Sequence, residues 1–371
     1  MPSFAGGGAE RVMVMLSNAL AQRNYQVDIV VCQASGPFHS DVAPTVRVVD
    51  LKSKRAVLAL PRLTTYLRTH RPDVFLSVLT HTNVVAILAA TMARTGVRLV
   101  VGERNSLASW AIESRGIKRR IRNFLVRALY PKADAIFGNS YRMSEEISTY
   151  LSLDPRKVRT IYNPLSIEMI ARKAEPLPTH PWIANKSCPV VIGAGRLTEQ
   201  KDFGTLISAF AEFRKHQPAR LIIFGDGPDR DVLQEKCRQL GVSDNVDFPG
   251  FSSELHSALK RADIFVLSSR WEGLPNILLE AIACGVSVVS TDCPTGPAEI
   301  LGDGQWGRLC PVGDVACLAN AMTAALVDPI TVLPEEALAA FDPEMVLEAY
   351  LEVLFGENGG VVLAEREEPV T

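Results

Sequence analysis

Four charged side chains stand at spacings that suit phosphate and sugar chemistry. Glu272 and Glu280 lie eight residues apart in SRWEGLPNILLEAIACG, and Arg196 and Lys201 lie five apart in GAGRLTEQK. The apolar run 262–268 reads as a buried strand. Pro275 stands where a helix can begin, because the N–H it lacks is unused there. Ile277, Leu278, Ala281 and Ile282 repeat at helical spacing, and Gly285 stops the run. A helix start offers N–H groups and partial positive charge, a seat for a diphosphate. Gly273 lets backbone come close to it. Glu272 can accept hydroxyls on one side, and Glu280 can grip the two hydroxyls of a ribose on the other. A plainer reading is also open, with Glu272 capping the helix and Glu280 on a solvated face. Arg196 and Lys201 follow the strand Val190–Gly193, where a guanidinium fork and an ammonium can clamp a diphosphate.

SRWEGLPNILLEAIACGVSVVS, its continuation TGPAEIL and the GR-x4-K pattern resemble the retaining glycosyltransferases of group 1, family 4 type. These have the GT-B architecture, α/β with two Rossmann-like domains facing across a cleft. The resemblance implies that Glu272 contacts the transferred hexose, Glu280 holds the ribose, and Arg196 and Lys201 stabilise the leaving diphosphate. Glu272, Arg196 and Lys201 are then the catalytic set. Gly195, Gly225, Gly227, Gly273, Leu274 and Asn276 complete the donor site, with Gly225 and Gly227 beside the base. Retention by front-face attack, as the family is described, calls for no protein nucleophile.

On the acceptor side, the resemblance assigns the glycine turn Gly6-Gly7-Gly8 and the loop GERNS, with Gly7, Gly8, Glu103, Arg104 and Asn105 as cleft residues. Only Met1–Phe4 precede that turn, which leaves a very short strand or an upstream start as alternatives. GGGAERV, GERNS, IYNP, GLPN and TGPAEI are most similar to bacterial polysaccharide transferases, often with lipid-linked acceptors. The implied activity is transfer of a hexose or N-acetylhexosamine from a nucleoside-diphosphate sugar, UDP by preference, to a saccharide. No cofactor and no metal are expected. The alternatives are a sugar-nucleotide epimerase or phosphorylase of the same fold, or a non-catalytic sugar-nucleotide-binding homologue.

The elements that must hold these residues alternate at the βα rhythm. Strands are expected at 27–31, 74–79, 99–102, 135–138 and 158–162, with helices near 57–69, 84–93 and from 141, and loops at Thr80–Asn83, 103–106 and Asn139-Ser140. Such alternation means a parallel sheet covered on both faces. The chain's 371 residues suit two domains. The boundaries read as 1–163 for the acceptor domain, a Pro-rich linker over 164–188, and 189–340 for the nucleotide-sugar domain. A helix over 341–355 would return to the first domain, and 356–371 would be a disordered tail. No run of apolar residues is long enough to span a membrane. Seven scattered cysteines, with no C-x-x-C pair, fit thiols of a reducing cytosol.

Charge is unevenly divided. Residues 1–165 carry 23 Lys/Arg against 11 Asp/Glu, while the rest carry 16 against 30. Arg115, Lys118, Arg119, Arg120, Arg122 and Arg127 stud an amphipathic segment at 115–132 that also bears Ile117, Ile121 and Phe124. Such a helix can lie on an anionic membrane. It can equally be a solvated face. Nucleic acid is disfavoured because stacking aromatics are sparse. The expected location is therefore cytoplasmic, peripheral to the inner face of the membrane.

Overall fold

The computed structural model describes residues 1–5, 7–106, 116–331 and 336–356. Gly6, Arg115 and the tail from residue 357 lie outside them. The chain divides into two compact units, one formed by Met1–Pro164 with the segment from Pro343, the other by Leu165–Asp342.

The first unit runs α1 (Gly8–Gln22), β1 (Asp28–Val31), β2 (Arg47–Asp50), α2 (Ala56–His70), β3 (Val74–Val78), α3 (Thr80–Ala93), β4 (Arg98–Glu103), α4 (Ile117–Leu129), β5 (Ala135–Gly138), α5 (Tyr141–Leu151) and β6 (Val158–Thr160). All its strand pairs are parallel, but they form two sheets, β1-β2 and β3-β4-β5-β6. Alternate residues of β4 feed opposite cores. Val100 packs with α1, while Leu99 and Val101 pack with α3, α4 and α5.

The second unit runs α6 (Ile167–Ala174), α7 (Pro181–Ala184), β7 (Val190–Ala194), α8 (Phe203–Arg214), β8 (Arg220–Phe224), α9 (Arg230–Gln239), β9 (Val246–Gly250), α10 (Leu255–Leu259), β10 (Ile264–Leu267), α11 (Asn276–Ala283), β11 (Ser287–Thr291), α12 (Pro297–Ile300), β12 (Arg308–Cys310), α13 (Val315–Val327) and α14 (Glu336–Ala339). One parallel sheet orders them β12-β11-β10-β7-β8-β9. Every residue of β7, β10 and β11 is buried, as strands covered on both faces must be. The chain then returns to the first unit through α15 (Pro343–Phe355), whose Val346, Tyr350 and Val353 join the core beside α1.

Two sequence expectations change, and one strand is new. Residues 164–188 are not a bare linker, because α6 buries Ile170 and Ala174 in the second unit and Arg220 stacks over Trp182 of α7 at 4.7 Å. Thr80–Asn83 are not a loop but the first turn of α3, whose hydrogen bonding begins with Asn83 N–H donating to Leu79 O at 2.9 Å. The short β2, charged at both ends and paired with β1, escaped the periodicity argument altogether.

Candidate active site

Two loops of the second unit bring the charged residues together. The first leaves β7 at Gly195 and ends at Asp202, which caps α8 by accepting from Thr205 N–H. The second leaves β10 and enters α11 at Pro275. Their main chains are cross-linked: Arg270 N–H donates to Gln200 O at 2.8 Å, and Gln200 Nε2 donates to Trp271 O at 3.0 Å. Ser268 Oγ donates to Lys201 O at 2.7 Å. Across this lacing Lys201 Nζ meets Glu272 Oε1 at 2.5 Å, with the two side chains 16% and 8% exposed. Ser269 Oγ donates to the same oxygen at 2.6 Å, and Thr295 Oγ1 holds the Glu272 carbonyl. Glu272 makes no cap to α11, which removes that plainer reading.

Arg196 stands apart from this pair. Its side chain is exposed and takes no hydrogen-bond partner among the described residues. Glu280 is the fifth residue of α11 and is buried, so the solvated-face reading fails. Its Oε2 lies 3.0 Å from Nε2 of His256 on α10, which is buried as well.

The glycines of these loops serve backbone packing. Gly225 has φ +127°, and a Cβ there would stand 1.9 Å from Gly195 O. At Gly227 a Cβ would meet Leu197 O at 2.3 Å. Gly195 N–H donates to Phe224 O, and Leu197 N–H to Asp226 O, so the two turns lie flat on each other. Gly296, φ +93°, presses in the same way on Gly273 O, Leu274 and Pro275, just ahead of Asn276, the first residue of α11.

The acceptor-side residues lie in the first unit. Gly7 is the N-cap of α1 and Gly8 its exposed first residue, while Asn105 is half-buried after β4. Glu103 and Arg104 depart from expectation, because both side chains point inward. Glu103 is 1% exposed and accepts from Tyr130 OH and from Thr80 Oγ1 at 2.9 Å. Burial pushes its carboxyl up to about 7, with the Tyr130 hydrogen bond opposing. Arg104 donates to Asn163 Oδ1 and Tyr350 OH and lies over the Phe137 ring, tying β4 to α15.

Two family models match this chain one after the other. Residues 6–168 match "Glycosyltransferase Family 4" and residues 181–339 match "Glycosyl transferases group 1". The chain belongs to the group 1 glycosyltransferases. It is 27% identical, over 88% of both chains, to the N-acetylgalactosamine-N,N'-diacetylbacillosaminyl-diphospho-undecaprenol 4-alpha-N-acetylgalactosaminyltransferase of Campylobacter jejuni. It is 29% identical to the lipopolysaccharide core biosynthesis glycosyltransferase LpsE of Rhizobium meliloti, over 94% of this chain and 96% of that one. Among solved structures, Anabaena HepE in complex with UDP-glucose superposes with TM-score 0.79 at 19% identity, covering 95% of this chain and 97% of that one. Likeness at that identity carries the fold, which is GT-B.

The candidate site also contains residues that the sequence does not single out: Ser269, Thr295, Gln200 and His256. Their signal was weak, since each is a common polar residue beside a strand or on a short helix. Among the described residues no group of three or more His, Cys, Asp or Glu side chains is placed to hold a metal ion.

Proposed function

We propose that this glycosyltransferase moves a hexose or N-acetylhexosamine, with retention, from a UDP-sugar to a saccharide carried on a lipid, in cell-surface polysaccharide synthesis. The observation that carries the reading is the Lys201–Glu272 pair at the mouth of β7 and β10, with the uncommitted Arg196 on the same loop. A diphosphate would draw Lys201 away from Glu272 and complete its charge neutralisation with Arg196. Glu272 would stay anchored by Ser269, its carboxylate turned to the hexose and available to the positive charge that develops at the anomeric carbon. Preorganised cations aimed at the leaving group are electrostatic catalysis. Glu280, steadied by His256, would take the ribose hydroxyls. These cations and the α11 N-terminus supply the charge themselves, so transfer is expected to proceed without a divalent metal. The relatives named above supply the lipid-linked and lipopolysaccharide acceptors of the reading.

The amphipathic α4 supports a membrane-bound acceptor. It leaves Ile117, Ile121 and Phe124 exposed, flanked by exposed Arg119 and Arg120. Arg122 is half-buried and Arg127 lies over the Tyr150 ring at 4.7 Å, so the charged face is narrower than the sequence suggested. No helix among the described residues is long and apolar enough to cross a membrane. We place the enzyme in the cytoplasm, on the inner membrane face.

The test is a donor screen, with UDP-, GDP- and ADP-sugars and a lipid-linked saccharide acceptor in excess chelator, and product configuration read by NMR. Transfer from a UDP-sugar with the donor's anomeric configuration kept is expected. Conversion of the sugar nucleotide without an acceptor would mean an epimerase, inversion would remove the retaining reading, and rescue by magnesium would remove metal independence.

A further inference from the structure

Residues 278–282 of α11 are all buried, and Glu280 is the one charged side chain among them. The helical rise puts it about 6 Å along the axis from Asn276, where the helix begins. A carboxylate 8% exposed, among Leu278, Leu279, Ala281 and Ile282, costs free energy unless it is hydrogen-bonded. His256 of α10 supplies such a bond, with its Nε2 3.0 Å from Glu280 Oε2. The ring nitrogen that faces a carboxylate carries the proton, so Nε2–H donates and Oε2 accepts.

The helix that presents His256 is too short to hold itself. α10 has five residues, and an isolated helix of that length does not persist in water. Side chains tie both its ends instead. At its entry Glu254 accepts from Thr179 N–H at 3.0 Å and from Thr179 Oγ1 at 3.1 Å. At its exit Arg261 donates to Ala174 O and Glu175 O, each at 3.0 Å. Between them Cys284 Sγ, one residue past α11, donates to His256 O at 3.6 Å. Burial, with the Glu280 carboxylate adding, pushes that thiol up to about 12, so it stays a donor. Two apolar side chains of the same volume would join α10 to α11 with no loss of stability, so packing alone does not call for the pair.

We infer that His256 is the positioning residue through which this site tells a ribonucleotide from a deoxyribonucleotide. The inference rests on the reading of Glu280 as the acceptor of the ribose hydroxyls. With Oε2 held by His256, the carboxylate stays ionised and its plane is fixed on α11, so the hydroxyls meet an acceptor already in place. Without His256 a buried carboxylate takes up a proton or turns toward water. Either change weakens the acceptor that a 2′- or 3′-hydroxyl needs. The diphosphate contacts expected of Arg196 and Lys201, on another loop, are left alone. His256 therefore governs recognition of the nucleotide's sugar and not of its phosphates.

Binding to the full chain is measured by calorimetry for UDP and 2′,3′-dideoxy-UDP, with the matching ADP and GDP pairs beside them, because the hydroxyls are common to all three. The parent should prefer the ribose form by about tenfold to a hundredfold, the range of hydrogen bonds to a charged group. In His256→Ala that preference should shrink to about threefold or less, with affinity for the dideoxy form unchanged. His256→Gln, whose amide can reach the place of Nε2–H, should keep most of the preference; His256→Asn, one carbon shorter, should not. The ratio is taken on folded protein that binds both ligands, so a loss of stability cancels from it. A parent that binds both forms equally would remove Glu280 from the ribose, and the inference with it. A parent that discriminates, beside a His256→Ala that discriminates as strongly, would overturn the role of His256 and leave the ribose reading standing. A His256→Ala that weakens both forms equally would make the imidazole a packing residue only. No binding of any of the three nucleotides would remove the sugar-nucleotide site itself.

Discussion

Replacing Lys201 by alanine tests the central pair through stability as well as catalysis. In the sequence Lys201 is a loop residue whose loss should leave folding untouched; in the structure it neutralises a carboxylate that is 8% exposed. Removing one partner of a buried pair costs about 3–5 kcal/mol, because the other charge is left without compensation. Ser269 retains one hydrogen bond to Glu272, and Lys201 is itself 16% exposed, which favours the lower end. We expect about 3 kcal/mol, or roughly 6–12 °C in Tm for a unit of this size. In Lys201→Ala/Glu272→Gln the orphan charge is gone, so about 2 kcal/mol should return. Urea unfolding followed by tryptophan fluorescence suits the measurement, since three of the four tryptophans, Trp182, Trp271 and Trp306, belong to the second unit. A single variant as stable as the parent, or a double variant no better than the single, would refute the argument that the pair is electrostatically closed.

Arg196→Ala should behave differently: with no partner to orphan, stability stays within about 0.5 kcal/mol, while kcat falls by about 2–4 kcal/mol of transition-state stabilisation. Wild-type kcat in that variant would remove Arg196 from the diphosphate. Glu103, held up near 7 in the folded chain and ordinary when unfolded, binds an extra proton in the native state between those values. Its stabilising contribution is therefore complete below about pH 4.5 and is lost as pH rises through 7, at up to about 1.4 kcal/mol per pH unit. Glu103→Gln should flatten that fall, read as amide exchange of β4 and β5 at pH 5 and pH 8; an unchanged slope would mean the carboxyl is not the titrating group. Arg119→Ser/Arg120→Ser, with Phe124→Ser, should release the protein from anionic vesicles at low salt and leave transfer to a short soluble acceptor intact; continued sedimentation with the vesicles would make α4 a solvated face.

Much of this was legible because parallel strands buried on both faces write themselves as apolar runs. The five buried residues of β7 and the four of β10 are of that kind, and the loops between strand and helix could be placed from them. The positions of Glu272, Glu280, Arg196 and Lys201 beside strand ends follow from those placements, whereas the roles expected of them come from the family resemblance. Long-range pairing was not legible. Nothing local to Arg104 says that Tyr350, 246 residues away, will take its guanidinium. Nor does the isolated His256 announce Glu280. The edge strand β2, four residues long and half exposed, leaves too little periodicity to read.

The backbone-to-backbone seating of Gly225 on Gly195, and of Gly227 on Leu197, also bears on how a mutational scan of this enzyme will look. Alanine at either glycine has to push a carbonyl aside, so both positions will score as intolerant alongside Arg196 and Lys201. Loss of activity there will come with loss of protein, and substrate affinity in the surviving fraction will be unchanged. A scan scored on activity alone will draw a larger active site than the one that touches sugar. Dividing it by abundance will shrink that map to the side chains.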